Sequence, residues 1–239
     1  SYRHPLIVPR TTIFDPAPTV HTPLWVWLSS GIRAVDHATE GLCSQFSTPI
    51  GDASYVQALR LRSQALPRVK RDPADLAARL DCQLGIWLSM AGRVGGAQMG
   101  ASHAIGHVLG GTCEVPHGYT SCVMLPHVLR YNRVVNAERE RLVAEAIGAP
   151  GEVAGEAVAA LVAELGLPGR LSEVGVGPEQ FPVIAANVLH DSWLHTNPRK
   201  ITSAEQVLEI LEAAAWGHIP LAGVSRREIR PGKGDNLVV

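Results

Sequence analysis

From Thr22 onward the apolar residues of this 239-residue chain recur at helical spacing, and Gly and Pro cut the pattern into helix-sized segments. Only residues 5–14, PLIVPRTTIF, read as extended, closed by a turn at Asp15-Pro16. A strand needs partners, and no second convincing strand lies nearby. The expectation is an all-α domain of about eight helices, preceded by one orphan strand whose sheet lies outside the chain. Residues 1–20 then read as a trailing strand and linker, and 21–239 as the helical domain.

The first helix opens at Thr22-Pro23, a cap followed by Pro at the first helical position. Its apolar stripe runs through Leu24, Trp27, Leu28, Ile32, Val35 and Leu42, and Ser29, Ser30, Gly31, Ala34 and Ala38 allow another helix to approach closely. Arg33, His37 and Glu40 share one face, with Asp36 beside it. A second helix is expected from Asp52 to Leu66, ended by Pro67. A third is expected to start at Asp72-Pro73, with Leu76, Leu80, Leu84, Trp87 and Leu88 as its core stripe. The Gly-rich GRVGGAQMG that follows reads as a hinge, since no strand precedes it and no Lys-Ser/Thr follows. Later helices are expected over 136–147, 152–165, 178–189 and 203–215, the last opened by the capping box Ser203-x-x-Gln206. The tail from Arg226 is charged, Gly-rich and expected to be mobile.

Net charge is −1, so no general attraction to nucleic acid or anionic membrane follows. No run reaches transmembrane length. Cys43, Cys82, Cys113 and Cys122 form no CxxC pair and fit reduced thiols in a cytoplasmic protein.

Chemistry concentrates in GASHAIGHVLGGTCEVPHGYTSCVMLPHVLRYN, residues 100–132. His103 and His107 are four apart and project from one helix face. Gly110-Gly111 is expected to end that helix, and the chain re-enters a helix at Pro116-His117-Gly118, so two segments can aim His103 and His117 at one point. An isolated helix histidine is ordinarily a surface or core residue. Four histidines within 25 positions, interleaved with Gly, are harder to explain by packing. Imidazole suits iron, zinc, copper or nickel and moves protons near neutral pH. HAIGH lacks the glutamate of the HExxH zinc-protease helix.

With these motifs in view, the chain resembles the iron-containing alcohol dehydrogenase family, within the group that includes glycerol dehydrogenase and dehydroquinate synthase. FDPAPTVHTP resembles the strand and turn leaving that family's cofactor domain, and GIRAVDHATEG resembles its first metal helix. HAIGHVLGGTCEVPHG, running into LPHVLRYN, resembles its signature, and TNPRKITSAEQVLEILEAAAW its closing helix. The resemblance implies the family's C-terminal helical domain. It places metal ligands, Fe2+ or Zn2+, at His37, His103 and His117, and a proton-relaying histidine at His107. NAD(P) would bind an N-terminal domain that the sequence does not contain, so this chain alone is expected to be inactive.

One position departs from the family. Its fourth ligand is an aspartate four residues before the first histidine, and Arg33 stands there. A guanidinium about 5 Å from a divalent ion, at an effective dielectric near 20, is repelled by roughly 6–7 kcal/mol. Either Arg33 swings away, held by Asp36 at i,i+3, or Asp36 replaces the missing ligand, or Arg33 makes an anion-binding pocket without metal. HVLGG resembles the signature of the family's maleylacetate reductases, which act on a dicarboxylate and are considered not to need the metal; GIRAVDH matches their helix less well.

The expected function is therefore NAD(P)H-dependent reduction of a carbonyl, or oxidation of an alcohol. The substrate is a small molecule that can carry a carboxylate, bound through Arg33. No nucleic acid or membrane partner is expected, and a homodimer is left open. The alternative is a non-catalytic helical metal-binding or interaction domain. A metallohydrolase is weaker, because Glu114 is the only carboxylate base near HAIGH.

Overall fold

A computed structural model of the chain describes residues 9–216. They form α1 (Leu24–Cys43), α2 (Pro49–Arg71), α3 (Leu76–Ala91), α4 (Ala101–Cys113), α5 (His117–Ala146), α6 (Ala154–Glu164), α7 (Phe181–Val188) and α8 (Ala204–Trp216). No strand occurs among the described residues. Of the stretch expected to be extended, residues 9–14 are irregular and unpaired, and the rest lies outside the described residues, as does the tail from Arg226. No described helix is long and apolar enough to cross a membrane.

The long helix α5 divides the interior. Cys122, Leu125 and Leu129 feed a core shared with α1, α2 and α6, while Val123, Met124 and Val128 feed a second core built with α4, α7 and α8. Residues one or two apart point to different sides of a helix, while those three or four apart share one, so an apolar run from Cys122 to Leu129 can serve both. At Asn136 the backbone leaves helical geometry (φ −133°, ψ 18°) and α5 kinks. There the Asn136 amide donates to Cys43 O at 2.9 Å, and Arg139 Nε donates to Leu42 O at 2.7 Å. Both satisfy carbonyls left open at the end of α1, and Arg139 also pairs with Asp52.

The small residues of α1 serve close packing as expected. A Cβ on Gly31 would lie 2.4 Å from Leu66 Cδ2 and 2.7 Å from Arg62 Nη2, both on α2. Gly118 meets Ser29 in the same way where α5 crosses α1.

Several boundaries differ from the sequence reading. Pro23, not Thr22, is the N-cap of α1, so the Pro stands one place before the helix. Helix α2 starts at Pro49, capped by Thr48, whose Oγ1 accepts from Gly51 N at 3.2 Å; Asp52 lies in its first turn. Pro67 sits inside α2 and does not end it. A proline costs one helical bond, and here its ring is buried while Arg68, bonded to Asp75 at 2.9 Å, anchors the turn that follows. Asp75, not Asp72, caps α3 by accepting from Ala78 N at 2.9 Å. Gly110 and Gly111 lie within α4, which ends three residues later in a left-handed Glu114.

The face of α3 is the main correction. Its buried residues are Ala78, Arg79, Cys82, Gly85 and Ser89. Leu76 and Trp87 are exposed, and Leu80, Leu84 and Leu88 are half-buried. The cause lies on α2, whose Arg62 fills the space in front of α3. A Cβ on Gly85 would stand 2.7 Å from Arg62 Cδ, and Arg62 Nη1 donates to Cys82 O at 2.8 Å. Apart from Arg79, small residues therefore take the inner face, and the large apolar ones turn out.

Candidate functional site

Helices α1, α4 and α5 meet at a buried polar cluster. Asp36 is fully buried on α1, and its Oδ2 accepts from Ser102 Oγ at 2.8 Å and from Ser121 Oγ at 2.6 Å. Arg33 is 6% exposed; its Nη1 donates to Ser121 Oγ at 3.0 Å and lies 3.6 Å from Asp36 Oδ2. The i,i+3 pairing of Arg33 with Asp36 expected from the sequence is present. Arg33 passes beside Gly106, where a Cβ would come within 3.4 Å of Nη1.

Glu40, one turn further along α1, caps α4. Its Oε2 accepts from Gly100 N and its Oε1 from Ser102 N, both at 2.8 Å. Asn197 Oδ1 takes Ala101 N at 3.1 Å, and Asn197 is itself braced by Asn132 Oδ1 at 2.7 Å. These side chains replace the partners that the first amides of a helix lack. The same Oε2 of Glu40 lies 2.8 Å from His103 Nδ1. His103 is fully buried, and its Nε2 has no hydrogen-bond partner.

The rings of His37 and His103 are 4.5 Å apart. His107 faces Trp193 at 4.7 Å, and Trp193 also meets His103 edge-on at 5.5 Å. His107 Nδ1 lies 2.7 Å from Asp191 Oδ2. His117 is exposed at the start of α5. Four of the five residues singled out by sequence, Arg33, His37, His103 and His107, thus stand in contact or one residue removed from each other. His117 joins them electrostatically, through the charges of Arg33, His103 and His107. His127 lies elsewhere, buried beside Arg130 Nη1 at 3.4 Å.

The charges sort the imidazoles into two kinds. Burial first, then the charges of His103 and Arg33, push His37 down to about 3, so it stays neutral. Burial and Arg33 lower His117 in the same sense. Burial opposes a charge on His103 too, but the Asp36 and Glu40 carboxylates outweigh it and raise its pKa. Asp36 is driven below the usual carboxylate range: burial works against it, and the charge and hydrogen bond of His103, with Arg33 and Ser121, overcome that.

The residues missed by sequence reasoning are Ser102 and Ser121, which hold Asp36, and Asp191 and Trp193, which hold His107. The serines carry no sequence signal. Asp191-Ser192-Trp193 does carry one, because Asp followed two residues later by a bonded backbone amide is an Asx-turn, here Trp193 N to Asp191 Oδ1 at 2.9 Å.

Residues 27–215 match the model of the Fe-containing alcohol dehydrogenase family, C-terminal part. The chain belongs to this family. Maleylacetate reductase 1 of Cupriavidus pinatubonensis is 34% identical over 208 residues, which is 86% of this chain and 57% of that protein. The 1,3-propanediol dehydrogenase of Citrobacter freundii is 33% identical, over 87% of this chain and 55% of its own length. Maleylacetate reductase from Rhizobium sp. strain MTP-10005 superposes with a TM-score of 0.81 at 31% identity, covering 92% of this chain and 61% of that one. The chain therefore spans somewhat over half the length of the relatives it matches, and its fold is that of the family's C-terminal helical domain.

The family's name implies iron. Among the described residues, the His, Cys, Asp and Glu groups whose ligand atoms all lie within 4.8 Å reduce to Asp36, Glu40 and His103. Those atoms already serve other partners: Asp36 Oδ2 takes two hydroxyls, and Glu40 takes two amides and His103 Nδ1. The buried Arg33 adds a fixed positive charge beside His37 and His103. Two atoms of the set lack a hydrogen-bond partner, His103 Nε2 and Asp36 Oδ1, but with Arg33 beside them the donor set as a whole does not fit a cation.

Proposed function

We propose that this chain forms the substrate-binding part of a reductase that converts a carbonyl to an alcohol, on a small substrate bearing a carboxylate, without a catalytic metal. The carrying observation is Arg33: buried, pinned to Ser121 at 3.0 Å and close to Asp36, with neutral His37 and His117 in its field. A guanidinium donates readily to a carboxylate, and Arg33 Nε has no hydrogen-bond partner of its own. Its charge is held by Asp36 and does not swing out to make room for a cation.

His107 is the proton donor to the carbonyl oxygen, since its side chain is 39% exposed and stays connected to solvent for reprotonation. NAD(P)H supplies the hydride when bound. The Gly92–Gly95 turn follows a helix and not a strand, so the described residues offer no dinucleotide cradle of the G-x-G-x-x-G kind.

Metal content tests this reading. Purified protein is expected to carry no stoichiometric iron or zinc by plasma mass spectrometry, and Arg33→Asp, which restores an acidic ligand, is expected to gain it. Full occupancy in both proteins would overturn the metal-free assignment.

A further inference from the structure

We infer that Asp191 is a positioning residue for His107: its carboxylate holds the imidazole as the Nδ1–H tautomer, with Trp193 fixing the ring plane, and so leaves Nε2 as the atom that exchanges the substrate proton. The inference rests on the reading of His107 as proton donor and goes beyond it, because it names the parts that make one nitrogen the reactive one.

A carboxylate only accepts, so at 2.7 Å His107 Nδ1 must be the donor. The pair joins α4 to the turn after α7, 84 positions away in sequence. A surface contact between two mobile side chains would be worth little, but here both partners are anchored. Asp191 Oδ1 accepts from Trp193 N at 2.9 Å, Asp191 N donates to Val188 O at 2.9 Å, and Leu194 N donates to Asp191 O at 3.1 Å. The turn is clamped to the start of α4 from the other side: Thr196 Oγ1 donates to Met99 O at 2.6 Å, and Asn197 takes Ala101 N. Leu194, fully buried in the second core, prevents it from lifting.

Trp193 supplies the second constraint. Its ring lies 4.7 Å from that of His107 at an interplanar angle of 37°, with the Arg93 guanidinium 5.5 Å from its centroid. A ring held by a hydrogen bond at Nδ1 and by a face contact has little freedom left in χ2. The proton accounting then closes. With hydride supplied by a bound nicotinamide, the carbonyl oxygen would take the proton that the His107 imidazolium carries on Nε2. The neutral ring that remains keeps its Nδ1–H on Asp191 and recovers the Nε2 proton from water.

The tautomer can be read directly, without turnover, by long-range 15N–1H correlation of His107 in this chain at alkaline pH. The wild type is expected to show the Nδ1–H form. In Asp191→Asn the amide can donate, and the ring is expected to reverse to Nε2–H, with backbone resonances away from the turn unchanged; Asp191→Glu should restore Nδ1–H at least in part. An Nε2–H ring in the wild type, or an unchanged tautomer in Asp191→Asn, would overturn the inference. Activity, measured with the dinucleotide-binding part of the enzyme present, separates this failure from failure of the underlying reading. If His107 donates the proton, His107→Gln slows carbonyl reduction by on the order of a hundredfold or more, and Asp191→Asn lowers kcat about tenfold or more with KM little changed. A His107→Gln variant with full turnover removes the proton-donor reading itself, whereas loss in His107→Gln with full kcat in Asp191→Asn removes only the role of Asp191.

Discussion

Glu40 Oε2 accepts from both the Gly100 amide and His103 Nδ1 at 2.8 Å, so one carboxylate caps the start of α4 and aims that helix's first histidine. Replacing Glu40 by Gln keeps one acceptor oxygen but turns an NH2 toward a backbone or imidazole N–H. The buried donor left without a partner should cost roughly 2–3 kcal/mol, measured as a lower urea midpoint at unchanged slope. A change below about 0.5 kcal/mol would show that α4 does not depend on this cap.

Gly118 is the contact that sets where His117 begins α5. A Cβ there would meet Ser29 Oγ at 2.5 Å and the Ser29 carbonyl carbon at 2.6 Å, and the latter is backbone that cannot rotate away. Gly118→Ala is expected to cost about 1–3 kcal/mol and to shift α5 off α1. Calorimetry should show it as a fall in Tm of about 2–4 °C per kcal/mol lost.

Arg33 gives a binding prediction. Titration of the protein with succinate in a calorimeter should show heat of binding that Arg33→Met weakens at least about tenfold, the loss of one charge-assisted pair. Equal affinity in the two proteins would place the carboxylate elsewhere.

Glu140 predicts a pH dependence of stability. It is 3% exposed with Oε1 unpartnered, and burial pushes its pKa up from 4.5 to about 8 against the pull of Arg133. The folded value lies above the unfolded one, so the contribution of this group is full below about 4.5 and is lost as pH rises through about 8. Glu140→Gln removes that loss. Its gain in stability over wild type should grow from near zero at pH 5 to a few kcal/mol at pH 8. A gain that is flat across this range would contradict the assignment.

The helical architecture was legible because Gly and Pro punctuate strong apolar periodicity, as at Pro116 before α5, and the helix expected from residue 136 begins at the observed kink. The shared face of Arg33, His37 and Glu40 was legible for the same reason: spacing fixes direction on a helix. The inward face of α3 was not. Its periodicity shows that Leu76, Leu84 and Trp87 lie on a stripe, but which stripe is buried depends on Arg62 of α2 filling the gap. Pro67 misled because the penalty of a helical proline is local, while the burial that offsets it is tertiary. The turn at Asp191 was visible locally, but its pairing with His107 was not, since Asp191 meets His107 only when the turn after α7 folds back on α4.

Helix α5 lends opposite sides to two cores, and its kink is tied to the last carbonyls of α1. The two cores consequently have no seam between them along which one could melt while the other survives. Partial proteolysis or heating should remove both in a single step, and a variant that weakens either core will pull down the histidine cluster with it.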